Sequence, residues 1–267
     1  MRLKFAVMAV AVTTALAACG AQQAGGAAGA WPRKGKPITL IVSFAPGAAV
    51  DAAARVVAPM LEKELGANVE VLNRPGAGGQ IGYTALSKAK ADGYTIGATG
   101  SPSIVVSPLD PSRGATYTRQ SFQPLGMQAL DPMLVGAAFL GKHVGAYVGN
   151  VSDVKPLVAQ GKIKVLGVMS GQRSPFLPDV PTFAEQGYQI EQATARGYAA
   201  PAGVPAEVRT KIEAALKKAI EDPAVVAKMK DLGLGTVYKS GQEYATYWTE
   251  QETTIKQTLP LVRNEKG

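Results

Sequence analysis

Ile38-Thr39-Leu40-Ile41-Val42-Ser43-Phe44, followed at once by Ala45-Pro46-Gly47-Ala48-Ala49-Val50-Asp51, is the stretch whose reading decides the fold. The first seven residues form a nearly continuous apolar, β-branched run, the pattern of a strand buried on both faces of a parallel sheet. Pro46 and Gly47 break it. Asp51 reads as a helix N-cap, with Val56, Val57, Met60, Leu61 and Leu65 facing inward and Gly66 as the C-cap. Small residues between a buried strand and a helix let backbone N–H groups approach a ligand closely, and a helix start favours an anion such as a carboxylate or phosphate.

The same unit recurs downstream. Val69 to Leu72 predicts a second strand, Asn73 to Gly79 a turn-rich loop, Ile81 to Lys90 a second helix, and Tyr94 to Ala98 a third strand after Asp92-Gly93. Strand–loop–helix repeated in this way is the pattern of a doubly wound α/β sheet with ligands at the carboxyl ends of its strands. From Ser101 to Asp131 the chain reads as irregular, rich in Ser and Pro. Val144 to Gly149 alternates, Val151 to Gln160 fits a helix, and Ile163 to Val168 fits another strand. The last third reads as helical, with Pro205 and Asp222-Pro223 at helix starts and Ser240-Gly241-Gln242-Glu243 as a capping box.

The other end of the chain carries a different kind of signal. Arg2 and Lys4 precede an apolar run from Phe5 to Ala18, too short for a permanent membrane span, so residues 1–18 read as a signal peptide. Leu16-Ala17-Ala18-Cys19 matches a lipobox. Cys19 is the single cysteine of the chain, which excludes an internal disulfide and makes it the expected lipidation site. Gly20 to Ala30 contains only Gly, Ala and Gln, so residues 19–35 are expected to be a tether between lipid and domain. The expected location is outside the cytoplasm, anchored at a bacterial membrane and facing the periplasm or cell exterior.

Enzymatic chemistry finds little support. His143 is the one histidine, with no cysteine or histidine partner for nucleophilic catalysis or for a metal site of the usual ligand types. No G-x-S-x-G elbow or G-x-x-x-x-G-K loop is present. Gly76-Ala77-Gly78-Gly79-Gln80-Ile81 nearly matches G-x-G-x-x-G but ends on Ile81, so no dinucleotide and no other cofactor is expected. The formal charge of +8 falls to +6 without Arg2 and Lys4. Its basic residues are scattered and aromatics are few, which argues against a nucleic-acid partner.

Several motifs taken together resemble the tripartite tricarboxylate transporter receptors, the Bug family of periplasmic solute-binding proteins. They are Trp31-Pro32, Pro37 to Val42, Phe44-Ala45-Pro46-Gly47, Asp51 with Arg55, Asn73-Arg74-Pro75-Gly76-Ala77-Gly78-Gly79, and Asp92-Gly93-Tyr94-Thr95. Leu177-Pro178-Asp179-Val180-Pro181-Thr182 and Ala200-Pro201-Ala202-Gly203-Val204-Pro205 continue in the family's order. The resemblance implies a fold of the type II periplasmic-binding-protein kind, two α/β lobes with mainly parallel sheets that close on a carboxylate solute. The partners it implies are a small di- or tricarboxylate-like solute and the membrane permease subunits that receive it, with the lipid anchor holding the protein to the membrane surface. Solute contacts would map to Ala45, Pro46, Gly47 and Ala48, to Thr99, Gly100 and Ser101, and to Arg196 as a carboxylate partner, unless Arg196 faces solvent. Asn150 falls near a position that is often acidic or polar in the family. On this pattern residues 36–135 with 197–267 form the first lobe and 136–196 a second, truncated lobe. About sixty residues, roughly two βαβ units, are missing between Val135 and Gly136. A binding-impaired paralogue or accessory surface lipoprotein is the alternative reading.

Overall fold

The computed structural model describes residues 31–140 and 143–264; the signal-peptide and Cys19 expectations lie outside them. Strand β1 (Ile38–Val42) has Ile38, Leu40 and Val42 fully buried, as a strand covered on both faces must. It pairs in parallel with β2 (Val69–Asn73) and with β3 (Thr95–Ser101). Helices α1 (Ala49–Leu65) and α2 (Gln80–Ser87) make the crossovers. Helix α1 buries Val50, Ala53, Ala54, Val57, Ala58 and Leu61 and ends on Gly66 at φ +63°, whose N–H donates to the Glu62 carbonyl. Its cap differs from expectation: Ala48 is the N-cap, and Asp51, in the first turn, accepts instead from the Gly47 N–H. The carboxylate thus closes the turn from inside the helix.

The segment read as irregular is ordered. It contains α3 (Ser103–Leu109) and the first half of β4 (Phe122–Leu140), a 19-residue strand. Pro124 and Pro132 obscured β4 in the sequence. Its register shifts between Pro124 and Gly126 and again between Met127 and Ala129, which is how a strand accommodates residues that interrupt the ladder. Two strands in the supposedly helical last third were also missed, β7 (Ala193–Pro201) and β8 (Thr236–Ser240). Between them run α5 (Ala206–Glu221) and α6 (Pro223–Asp231), and α7 (Gly241–Asn264) follows. The capping box at α7 forms as read: Glu243 Oε2 accepts from the Ser240 N–H at 2.8 Å, and Ser240 Oγ accepts from the Glu243 N–H at 3.3 Å.

The sheet runs β2-β1-β3-β7-β4-β5, with β5 (His143–Asn150) at its end, and β6 (Ile163–Val168) and β8 also pairing with β4. The expectation of mainly parallel sheets holds for β2-β1-β3 and not beyond. β7 pairs antiparallel with both β3 and β4, and β5, β6 and β8 each pair antiparallel with β4. The reason is topological: β4 carries the chain out of the first half and β7 carries it back.

Two cores follow. The larger packs Tyr83, Ile104, Tyr117, Phe122, Met127, Tyr244 and Trp248 on one face of the sheet, while α1, α5 and α6 pack together elsewhere with Val57, Leu61, Ile212, Leu216 and Ile220 buried. The smaller core holds Leu134, Val151, Val154, Ile163 and Val168, against which α4 (Val151–Ala159) lies. Val148 and Leu166, on strands β5 and β6, stay 56% and 48% exposed, so the second half has little to bury.

Candidate functional site

A cavity of about 430 Å³ opens where the carboxyl ends of β1 and β3 meet the start of β7 and the start of α4. The β1–α1 turn contributes Phe44, Ala48, Ala49 and Val50. The β3–α3 turn contributes Gly100, Ser101, Pro102 and Ser103. From the other half come Asn150, Asp153, Thr194 and Arg196, and Arg113 stands at the wall from the turn after α3.

The β1–α1 turn is held from beneath. The buried Asp51 carboxylate accepts from the Gly47 N–H at 2.9 Å, from Arg55 Nε at 3.0 Å and from Asn73 Nδ2 at 2.8 Å. Asn73 Nδ2 also donates to the Phe44 carbonyl at 3.0 Å. Burial alone would raise the Asp51 pKa, but Arg55, the Gly47 N–H and Asn73 outweigh it and hold the carboxyl below its ordinary value. The Asn73 side chain therefore holds the turn from behind and is not part of the cavity lining. Once the turn is fixed, Ala49 and Val50, in the first turn of α1 where N–H groups lack intrahelical acceptors, line the cavity at the positive end of a 17-residue helix.

Of the nine residues expected to contact solute, Ala48, Gly100, Ser101, Asn150 and Arg196 line this cavity. Ala45, Pro46 and Gly47 form the exposed outer part of the turn, and the Gly47 N–H is already taken by Asp51. Thr99 lies behind the wall, fully buried, its Oγ1 donating to the Gly197 carbonyl and bonded to the Tyr244 hydroxyl, each at 3.1 Å. Strand alternation explains this: Thr99 and Ser101 share one face of β3, yet only Ser101 reaches the open end. Ser101 Oγ is buried and has no hydrogen-bond partner among the described residues.

Arg196 is not free to bind an anion by itself. Its Nη1 donates to Asp131 Oδ2 at 2.8 Å, and both side chains are only 3% exposed. The Ser152 hydroxyl donates to the same carboxylate, so β4, β7 and the start of α4 are tied together at one point. Burial pushes the Asp131 carboxyl up, opposed by Arg196 and the two bonds from Ser152. Arg196 Nε has no partner among the described residues.

Sequence reasoning missed Arg113 and Asp153. Arg113 sits in the turn Asp110 to Gly114, capped by the Asp110 side chain, with its carbonyl accepting from Gln80 Nε2 at 3.0 Å. Asp153 had a legible signal: it follows Asn150 at the N-cap to N3 spacing of a helix start, and Asn150 Nδ2 donates to it at 3.2 Å.

A sheet with helices on its faces, two halves joined by crossing strands and a cavity at the strand ends are the features of a solute-binding protein. The family model for the tripartite tricarboxylate transporter family receptor matches residues 53–133 and 126–263. The chain belongs to that receptor family, and it is a binding protein rather than an enzyme. Protein BugT of Bordetella pertussis is 30% identical over 256 residues, covering 72% of this chain and 78% of BugT. Since 72% of 267 residues is about 192, some 64 of those positions have no counterpart here. The two matched segments overlap at 126–133, inside β4. Among solved structures, the periplasmic binding protein BugD superposes with a TM-score of 0.75 at 24% identity, over 84% of this chain and 98% of BugD. MatC from Rhodopseudomonas palustris, solved with bound malate, gives 0.75 at 21%, over 84% and 99%.

Proposed function

We propose that this chain is the receptor of a tripartite tricarboxylate-type permease, binding a small carboxylate and delivering it to the membrane subunits. The reading rests on one observation above all: the first-turn residues Ala49 and Val50 of α1 line the same cavity as Arg113 and as Ser101, whose hydroxyl is unpartnered among the described residues. Together they offer donors to an anion where water is partly excluded. MatC with malate, and a second R. palustris protein solved with adipate, support a di- or tricarboxylate-like ligand. In this reading the protein is exported, residues 1–18 are removed and lipid on Cys19 holds it at the bacterial membrane. The domain division at 36–135 with 197–267 and 136–196 goes with it, the two halves meeting at the cavity.

A thermal-shift panel of malate, adipate and citrate on the mature protein tests the binding, since a ligand held only by the folded state raises Tm. Arg113→Ala and Ser101→Ala should each reduce the shift. The alternative, a binding-impaired paralogue, is favoured by the commitment of Arg196 to Asp131 and by the short second half. It wins if no member of the panel raises Tm. Fractionation tests the anchor: Cys19→Ser should move the protein out of the membrane fraction.

A further inference from the structure

The parallel strands β1 and β3 carry their carboxyl ends to the cavity, so the residues that precede them lie at the opposite end of the sheet. Arg33, Lys34 and Lys36 precede β1, and Lys88 and Lys90 precede β3. The fold draws the two groups together. Lys36 Nζ lies 3.3 Å from Asp92 Oδ2, 56 residues on, and 3.5 Å from the centre of the Tyr94 ring. The Arg33 N–H donates to the Tyr94 hydroxyl at 2.7 Å, and the Arg33 carbonyl accepts from the Lys36 N–H. Lys88 and Lys90 stand four and two residues before Asp92. Asp92 answers Lys36, whereas Arg33, Lys34, Lys88 and Lys90 are exposed and form no ion pair among the described residues. The acids beside them are already engaged: Glu64, at the end of α1, is held by Lys218 at 3.0 Å, and Glu70 of β2 accepts from Asn68.

We propose that this end of the molecule docks on an anionic lipid surface, with phospholipid head groups as the partner. Uncompensated cations held in one patch repel one another. An anionic surface removes that repulsion and adds roughly a fivefold factor in affinity per cation near it. The stretch Gly20 to Ala30 leads in sequence straight to Trp31-Pro32 and the patch, and its eleven residues span at most about 40 Å. Lipid on Cys19, as proposed, would therefore deliver the patch to the surface, although the docking does not depend on it. Docked this way, the cavity opens on the side away from the lipid, so holding the surface and capturing solute do not compete.

Vesicle flotation of the mature chain carrying Cys19→Ser, which has no lipid of its own, tests this. The probes are vesicles of phosphatidylcholine alone and of an equal mixture of phosphatidylcholine and phosphatidylglycerol. At low salt the protein should float with the mixed vesicles and not with phosphatidylcholine, and added salt should release it by screening. Lys88→Gln with Lys90→Gln should weaken the partitioning roughly thirtyfold, the product of two such factors. Lys228→Gln with Lys230→Gln removes the same net charge from the far end. Both lie in the last turn of α6, and Leu232 just beyond them shares a cleft with Gly47 and Ala49 of the β1–α1 turn. That pair should cost less than about threefold, its charges standing beyond the screening length. All four lysines are exposed, so both double variants should melt with the wild type. No flotation on the mixed vesicles, or equal flotation on both compositions, overturns the inference. Equal losses in the two double variants also overturn it, because net charge and not the patch would then be the cause. None of these outcomes touches the carboxylate reading, which the thermal-shift panel decides separately.

Discussion

Asp131→Asn is the most informative single change in this molecule. Asp131 and Arg196 are each 3% exposed and 2.8 Å apart. At an effective dielectric of about 20 their attraction is roughly 6 kcal/mol, of the same order as the desolvation it must offset. The intact pair therefore contributes little net stability, whereas half of it is expensive. Asn keeps the shape and the Ser152 contact but leaves the Arg196 cation buried without a counter-charge, which costs about 3–5 kcal/mol. In a chain of this size each kcal/mol shifts Tm by about 2–4 °C, so the loss should be roughly 6–20 °C by circular dichroism. Asp131→Asn with Arg196→Met should recover most of it, since the buried charge is then gone. Because Arg196 also lines the cavity, the single variant should gain more Tm from added dicarboxylate than wild type does. A single variant melting within 2 °C of wild type, or a double variant no more stable than the single, refutes the reasoning.

Asp51 predicts a pH dependence. Its folded pKa is lowered from 3.8, so its contribution is fully present above that value and is lost as pH falls from there through the folded pKa. Urea titrations across that window should show a shallower loss in Asp51→Asn than in wild type. A methyl group at Gly197 would run into the Gly126 carbonyl and the Tyr244 ring, so Gly197→Ala should lower stability by about 1–3 kcal/mol, while Gly145→Ala, with nothing within 4 Å, should be near neutral. Since β4 and β7 both cross between the halves as continuous strands, scattering should show no compaction on adding solute, and affinity should sit near ~0.1–1 mM. Calorimetry giving sub-micromolar binding contradicts that.

Local signals survived into the structure where one segment determined its own state. The apolar run of β1, the Gly66 cap, the Ser240 capping box and the Asp222-Pro223 helix start all needed only neighbours in sequence. β4 and β7 were illegible because their state is set by partners far away: Met127 pairs with Gly197, and Arg196 with Gly100. The site divides the same way. Gly100 and Ser101 could be read from a strand end, and Asn150 from its place before a helix. Thr99 could not be told from Ser101, because which of them reaches the open end depends on where β3 stops. Nothing local announces that Arg196 meets Asp131, 65 residues earlier.

The prolines of β4 have a further consequence during synthesis. All four strands that pair with β4 lie after it in the chain, and the last, β8, is complete only at Ser240. At about 5–20 residues per second, β4 waits on the order of 5–20 s for its full set of neighbours. Its sequence, Phe122 to Leu140, carries a single charge, Asp131, and would otherwise be an adhesive edge for other nascent chains. Pro124 and Pro132 each remove a backbone donor from that edge, and Gly126 at φ +157° bends it. The residues that hid the strand from view are the ones that guard it while it is alone.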